Sequence, residues 1–144
     1  MKWRICVLTA GAVIMTHAAG CGKKHEAGKV SEMQQCLETV PRNVPGLVIR
    51  GPRPKENIIE NMVPIICQWR RWCENSDGEN LKGTLLLTVF VNKVGEIGIV
   101  KYSSTIRDTA KIHELVNSFS LFEFDVWNEG DYETQFDFPV KLLE

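Results

Sequence analysis

From residue 58 onward the spacing of apolar side chains switches from a helical repeat to a strand repeat, back to a helical one and back again. This order restricts the possible folds more than any other feature of the chain. Ile59, Met62, Ile66, Trp69 and Cys73 follow a three-four spacing that lays one stripe along a helix from about Ile58 to Glu74. Pro64 lies within it and has no N–H for an i to i−4 bond, so the helix is expected to kink or to begin there. Leu85, Leu87, Val89 and Val91 then alternate with Thr84, Leu86, Thr88 and Phe90, a strand with one wholly apolar face. A turn at Asn92-Lys93-Val94-Gly95 leads to a second strand at Ile97–Ser103, where the apolar phase shifts and predicts a bulge near Gly98. Asp108 is placed to cap a helix whose stripe is Ile112, Leu115, Val116 and Phe119. Phe122, Phe124 and Val126, and then Tyr132, Thr134, Phe136, Phe138 and Val140, alternate with polar residues and read as two more strands around a turn at 128–131. Pro139 cannot donate to a ladder and is expected at an edge or strand end. The expected order is helix, strand, strand, helix, strand, strand. It makes an α+β domain over residues 57–144, with two helices on one face of a mostly antiparallel sheet.

Ahead of this domain the chain opens on Lys2 and Arg4, continues with an apolar run from Ile5 to Met15 and closes on Ala18, Ala19 and Gly20. These are the three parts of an export signal, too short for a span of ~20 apolar residues. Ala18-Ala19-Gly20-Cys21 resembles the lipobox of bacterial lipoproteins. The resemblance implies a signal peptide at 1–20, cleavage before Cys21 and diacylglycerol on its thiol. Gly22 stands where enteric bacteria place an Asp to retain lipoproteins in the inner membrane, so the resemblance implies the outer membrane. Residues 21–56, rich in Lys, Gly and Pro, read as a tether. One short helix is expected within it after Ser31 and before Pro41. A flexible tether of this length would span ~30–35 Å root-mean-square.

Removing twenty of 144 residues leaves one domain's worth of chain, with Lys2 and Arg4 lost from its 17 basic groups against 18 acidic ones. The excess acid lies in residues 72–144, which carry thirteen Asp and Glu against six Lys and Arg. An acidic globular half argues against a nucleic-acid partner, because phosphate needs a basic face.

With Cys6 in the signal and Cys21 lipidated, three cysteines remain in an oxidising compartment. Cys67 and Cys73 lie six residues apart on a helix, ~9 Å of rise, beyond the ~7 Å limit for a disulfide. Cys36 is therefore expected to pair with Cys73, or with Cys67; the alternative is three buried free thiols.

Leu81-Lys82-Gly83, Val91 to Gly95 followed by Glu96-Ile97, Ser103-Ser104-Thr105 and Phe136-Asp137-Phe138-Pro139-Val140 resemble, in that order, the TonB C-terminal-like domain in its AgmX/PglI-type branch; Pro64 and Ile66 match the family's first helix. The resemblance runs over about 58–142 and implies an envelope protein partner gripped by strand addition. Trp69-Arg70 stands where that branch has Cys-Tyr, and neither an uncleaved membrane helix nor a long Pro-rich arm precedes the domain, so energy transduction is not implied. The candidate interaction edge is Tyr132, Thr134, Phe136 and Phe138. Catalysis is not expected. His25 and His113 have no visible partner in the sequence, Ser103-Ser104-Thr105 reads as a turn motif, and no spacing suggests a metal or a cofactor. Trp69-Arg70-Arg71-Trp72 is the patch suited to an anionic interface, although Trp69 falls on the core stripe. The expectation is a non-catalytic, lipid-anchored, periplasm-facing adaptor or structural component; the alternatives are a small envelope enzyme or a purely structural lipoprotein.

Overall fold

A computed structural model describes residues 32–127 and 133–143. The signal, the lipobox and Cys21 lie outside these residues, as do the expected turn at 128–131 and Tyr132. The chain divides into two compact units, Met1–Thr39 and Val40–Glu144. In the first, the described residues form one helix, α1, at 32–39. No helix of the described residues is long and apolar enough to cross a membrane.

The second unit is an α+β fold with elements β1 (Val48–Arg50), α2 (Lys55–Cys73), α3 (Gly78–Leu81), β2 (Leu85–Val91), β3 (Ile97–Ser104), α4 (Thr109–Asn117), a 3-10 turn at Ser118–Leu121 and β4 (Thr134–Val140). Its sheet is antiparallel throughout, in the order β1-β4-β2-β3. Leu85, Leu87, Val89 and Val91 stand opposite Val140, Phe138, Phe136 and Thr134, so two alternating patterns merge into one buried face. The buried stripes of α2 and α4 cover that face. Leu86 and Val48 on the other face stay exposed.

Helix α2 runs unbroken through Pro64. Pro64 and Glu60 are both exposed, so the carbonyl that Pro64 leaves without an N–H faces solvent, where it costs little. All five stripe residues, from Ile59 to Cys73, are buried. Trp69 meets Phe119 edge to face at 5.0 Å, and its indole N–H donates to Ser118 Oγ at 2.9 Å, which satisfies the polar end of a buried ring. Asp108 caps α4 by accepting from the Lys111 N–H at 2.9 Å.

The bulge expected near Gly98 is present: Val89 pairs with Val100 but Val91 with Ile97, so two β3 residues oppose Phe90. Gly95 closes the β2–β3 turn at φ +92°.

Three expectations are corrected. Phe122–Val126 forms no strand: the Phe124 N–H donates to Gly95 O at 2.8 Å, Asp125 N–H to Asn61 Oδ1 at 2.9 Å and Trp127 N–H to Lys93 O at 2.7 Å. These partners belong to a turn and a helix and offer no ladder. The fourth strand is β1, whose three residues fall inside the expected tether. That tether therefore does not extend to residue 56. Val40 and Arg53 are buried and Ile49 pairs with Phe136, so residues 40–56 belong to the folded unit.

Candidate functional site

Strand β4, proposed from the sequence as the interaction edge, is interior. It pairs with β2 along its whole length and with β1 over Gln135–Asp137. The side chains of Thr134, Phe136 and Phe138 point into the core, and Tyr132 lies outside the described residues. A residue cannot fill the core and also serve as a free recognition edge.

Among the described residues, the long unpaired edge belongs to β3. Thr105 N–H donates to Thr84 O. Antiparallel peptide groups alternate in direction, so Ser103 and Lys101 also turn theirs toward β2, while Ser104, Tyr102 and Val100 turn theirs outward. Tyr102 is 42% exposed, Leu86 on the neighbouring strand 41%, and Lys101, Ser103 and Ser104 are exposed as well. The edge therefore offers unpaired main-chain donors and acceptors beside a half-open aromatic ring.

Ser103-Ser104-Thr105 has a structural use. Ser104 Oγ donates to Thr84 O at 3.1 Å and accepts from the Ile106 N–H at 3.0 Å, and Thr105 Oγ1 accepts from the Thr84 N–H at 3.0 Å. These hydroxyls tie the start of β2 to the end of β3. A Cβ on Gly83 would lie 2.8 Å from Thr105 Oγ1, at a φ of +140°. The Leu81-Lys82-Gly83 motif and the Ser103-Ser104-Thr105 motif are thus two sides of one junction. His113 is exposed, and no group of three or more His, Cys, Asp or Glu suited to a metal occurs among the described residues.

Among the cysteines, Cys36 and Cys67 are disulfide-bonded and Cys73 is a free, buried thiol. Of the two cysteines expected as partners for Cys36, Cys73 is thus corrected to a free thiol, and the alternative, Cys67, is the one in a disulfide. Cys73 packs at the last turn of α2 within the apolar stripe, and burial pushes its pKa up, partly offset by Lys111. Trp72 is 37% exposed and its ring lies 6.3 Å from Phe122, beside Leu121 at 74% exposure.

Sequence reasoning gave Arg53 no role. It is 2% exposed, donates from Nη1 to Asn57 Oδ1 at 2.9 Å and from Nη2 to Asn92 O at 3.0 Å, and lies 5.7 Å from the centroid of the Phe124 ring. Burial lowers its pKa, and Asp125 opposes that shift. One guanidinium therefore joins the start of α2, the β2–β3 turn and the 122–127 segment. The only sequence signal for it is an Arg between two prolines, which elsewhere marks a solvated loop. Comparisons with family models, curated proteins and solved structures return no match to this chain.

Proposed function

We propose that this protein is a non-catalytic, lipid-anchored envelope adaptor, carried on Cys21 and facing the periplasm, that takes a strand from a protein partner on the outer edge of β3. The observation that supports this reading is the outward direction of the peptide groups at Val100, Tyr102 and Ser104 on an exposed strand. Added strands gain affinity from such main-chain bonds and specificity from side chains along the edge, here Tyr102. The anchor rests on the export pattern and the lipobox resemblance of residues 1–21. TonB-like domains, which the order of motifs over 58–142 resembles, would use their sheet in this way. The outer membrane is the favoured location because Gly22 follows the lipidated cysteine.

The strand-addition step is tested with Tyr102→Pro, which removes one outward N–H while leaving the bonds to β2, a substitution that an edge strand tolerates. Crosslinked envelopes should yield a defined partner with the unaltered protein and lose it with Tyr102→Pro at an unchanged melting temperature; equal recovery rejects the β3 edge. Metabolic palmitate should label the unaltered protein and not Cys21→Ser, and an unlabelled wild type rejects the anchor.

A further inference from the structure

A groove of about 590 Å³ within the second unit lies between the 40–45 segment, one face of α2 and the end of β4. That volume falls in the roughly 300–1,000 Å³ range of small-molecule sites. Val44 forms one wall, Val63 and Ile66 of α2 a second, and Phe138 and Val140 of β4 the floor. The walls offer few hydrogen-bonding groups, so a polar occupant would lose its hydration without replacement.

Among the described lining residues the charged ones are Arg70 and Lys141, and both are cations. Arg70 Nη2 donates to Lys141 O at 3.3 Å, which holds the guanidinium beside the Lys141 main chain, and arginine keeps its charge at any physiological pH.

The same groove is poorly made for a peptide strand. The peptide groups of Val140, Phe138, Phe136 and Thr134 turn to β2, so the position of β4 that faces the groove is Pro139, which has no N–H to give. A flat bilayer surface does not fill a concave groove either.

We infer that this groove binds a single long-chain anionic amphiphile, with its acyl chain against Val63, Ile66 and Phe138 and its carboxylate at Arg70 and Lys141. The inference goes beyond the adaptor reading and requires neither lipid on Cys21 nor the β3 edge. A carboxylate head accepts charge-assisted hydrogen bonds from two cations, and the chain fills apolar space that water occupies poorly.

The test is fluorescence titration of the purified full chain with cis-parinaric acid, an 18-carbon carboxylate, followed by displacement with oleic acid or with oleyl alcohol. Uptake of one molecule per chain is expected, with oleic acid displacing the probe at least tenfold more strongly than the alcohol. Arg70→Gln with Lys141→Gln should bring the acid down to the level of the alcohol and leave the alcohol unchanged. Lys141→Gln alone, at an exposed position, should weaken the acid severalfold and serves if the double variant does not fold. Val44→Asp should weaken both ligands. No uptake, equal displacement by acid and alcohol, or indifference to the two cations would each overturn the inference. Recovery of an envelope partner through β3 is a separate readout, so either idea can fail alone.

Discussion

At Gly95 two constraints meet in one residue. Its φ of +92° suits glycine, and an added Cβ would stand 1.9 Å from Phe124 O and 2.8 Å from the Phe124 carbonyl carbon. Both obstacles are backbone, and the Phe124 N–H is already bonded to Gly95 O. Gly95→Ala is therefore expected to cost about 3 kcal/mol, at the upper end of single substitutions, because the 122–127 segment must move away. Urea denaturation measures it, and a loss under 1 kcal/mol would contradict the close approach. Cys73 supplies a pH dependence of known sign. Below pH 9, its ordinary pKa, the thiol is neutral in folded and unfolded chains alike. Above that value the unfolded chain ionises it while burial keeps the folded one neutral, so stability should fall as pH rises beyond about 9. Cys73→Ala should show a shallower alkaline decline in melting temperature than the wild type.

Among the elements, the 122–127 segment shows how a strand-like pattern can end without a strand. Phe122, Phe124 and Val126 alternate with acidic residues, yet exposure rises along them from buried Phe124 to exposed Val126. The segment is held by three separate hydrogen bonds and by Phe124, which stacks on Phe136 at 5.8 Å and faces Arg53. Asn61→Ala removes the acceptor of the Asp125 N–H at the cost of about 1 kcal/mol. Hydrogen exchange at Asp125 should then accelerate about fivefold, while the Phe124 amide, bonded to Gly95 O, changes less. Equal acceleration at both amides would mean that the segment opens as a unit. Strand β1 is short for a related reason. Its register would bring Gly46 opposite Pro139, whose missing N–H lies on the β1 side, so the ladder stops after Asp137.

For the whole molecule, the cysteine inventory links the fold to the compartment proposed for it. Cys36 and Cys67 are each disulfide-bonded, which suits the oxidising envelope proposed above, and Cys73 is kept out of exchange by burial. If Cys21 is acylated and the signal removed, a thiol count on the denatured mature protein should give one group before reduction and three after it. Two or more before reduction would mean an unmodified Cys21 or an open disulfide. Reduction should also lower stability by about 2–4 kcal/mol, as seen by the midpoint of urea unfolding. The sheet's exposed face carries its own polar bridge, with Thr88 Oγ1 donating to Asp137 Oδ1 at 2.8 Å and Arg50 lying 3.5 Å from Asp137 Oδ2. Such a bridge keeps an uncovered face compatible with water.

Periodicity alone settled the α+β class, the stripes of α2 and α4, the Asp108 cap, the β2–β3 hairpin and its bulge. Each depends on residues close in the chain, where side-chain spacing and backbone geometry are coupled. Strand neighbours were a different matter. Alternation in Thr134–Val140 reveals a buried face but not which strands lie to either side, so it does not distinguish an interior strand from an edge. The three residues of β1 are too few to carry a repeat, and their pairing with β4 spans almost ninety positions. Arg53 and the Arg70–Lys141 groove are equally hidden. What makes each of them distinctive is a neighbour far away in the chain, and only closure of the sheet brings those neighbours together.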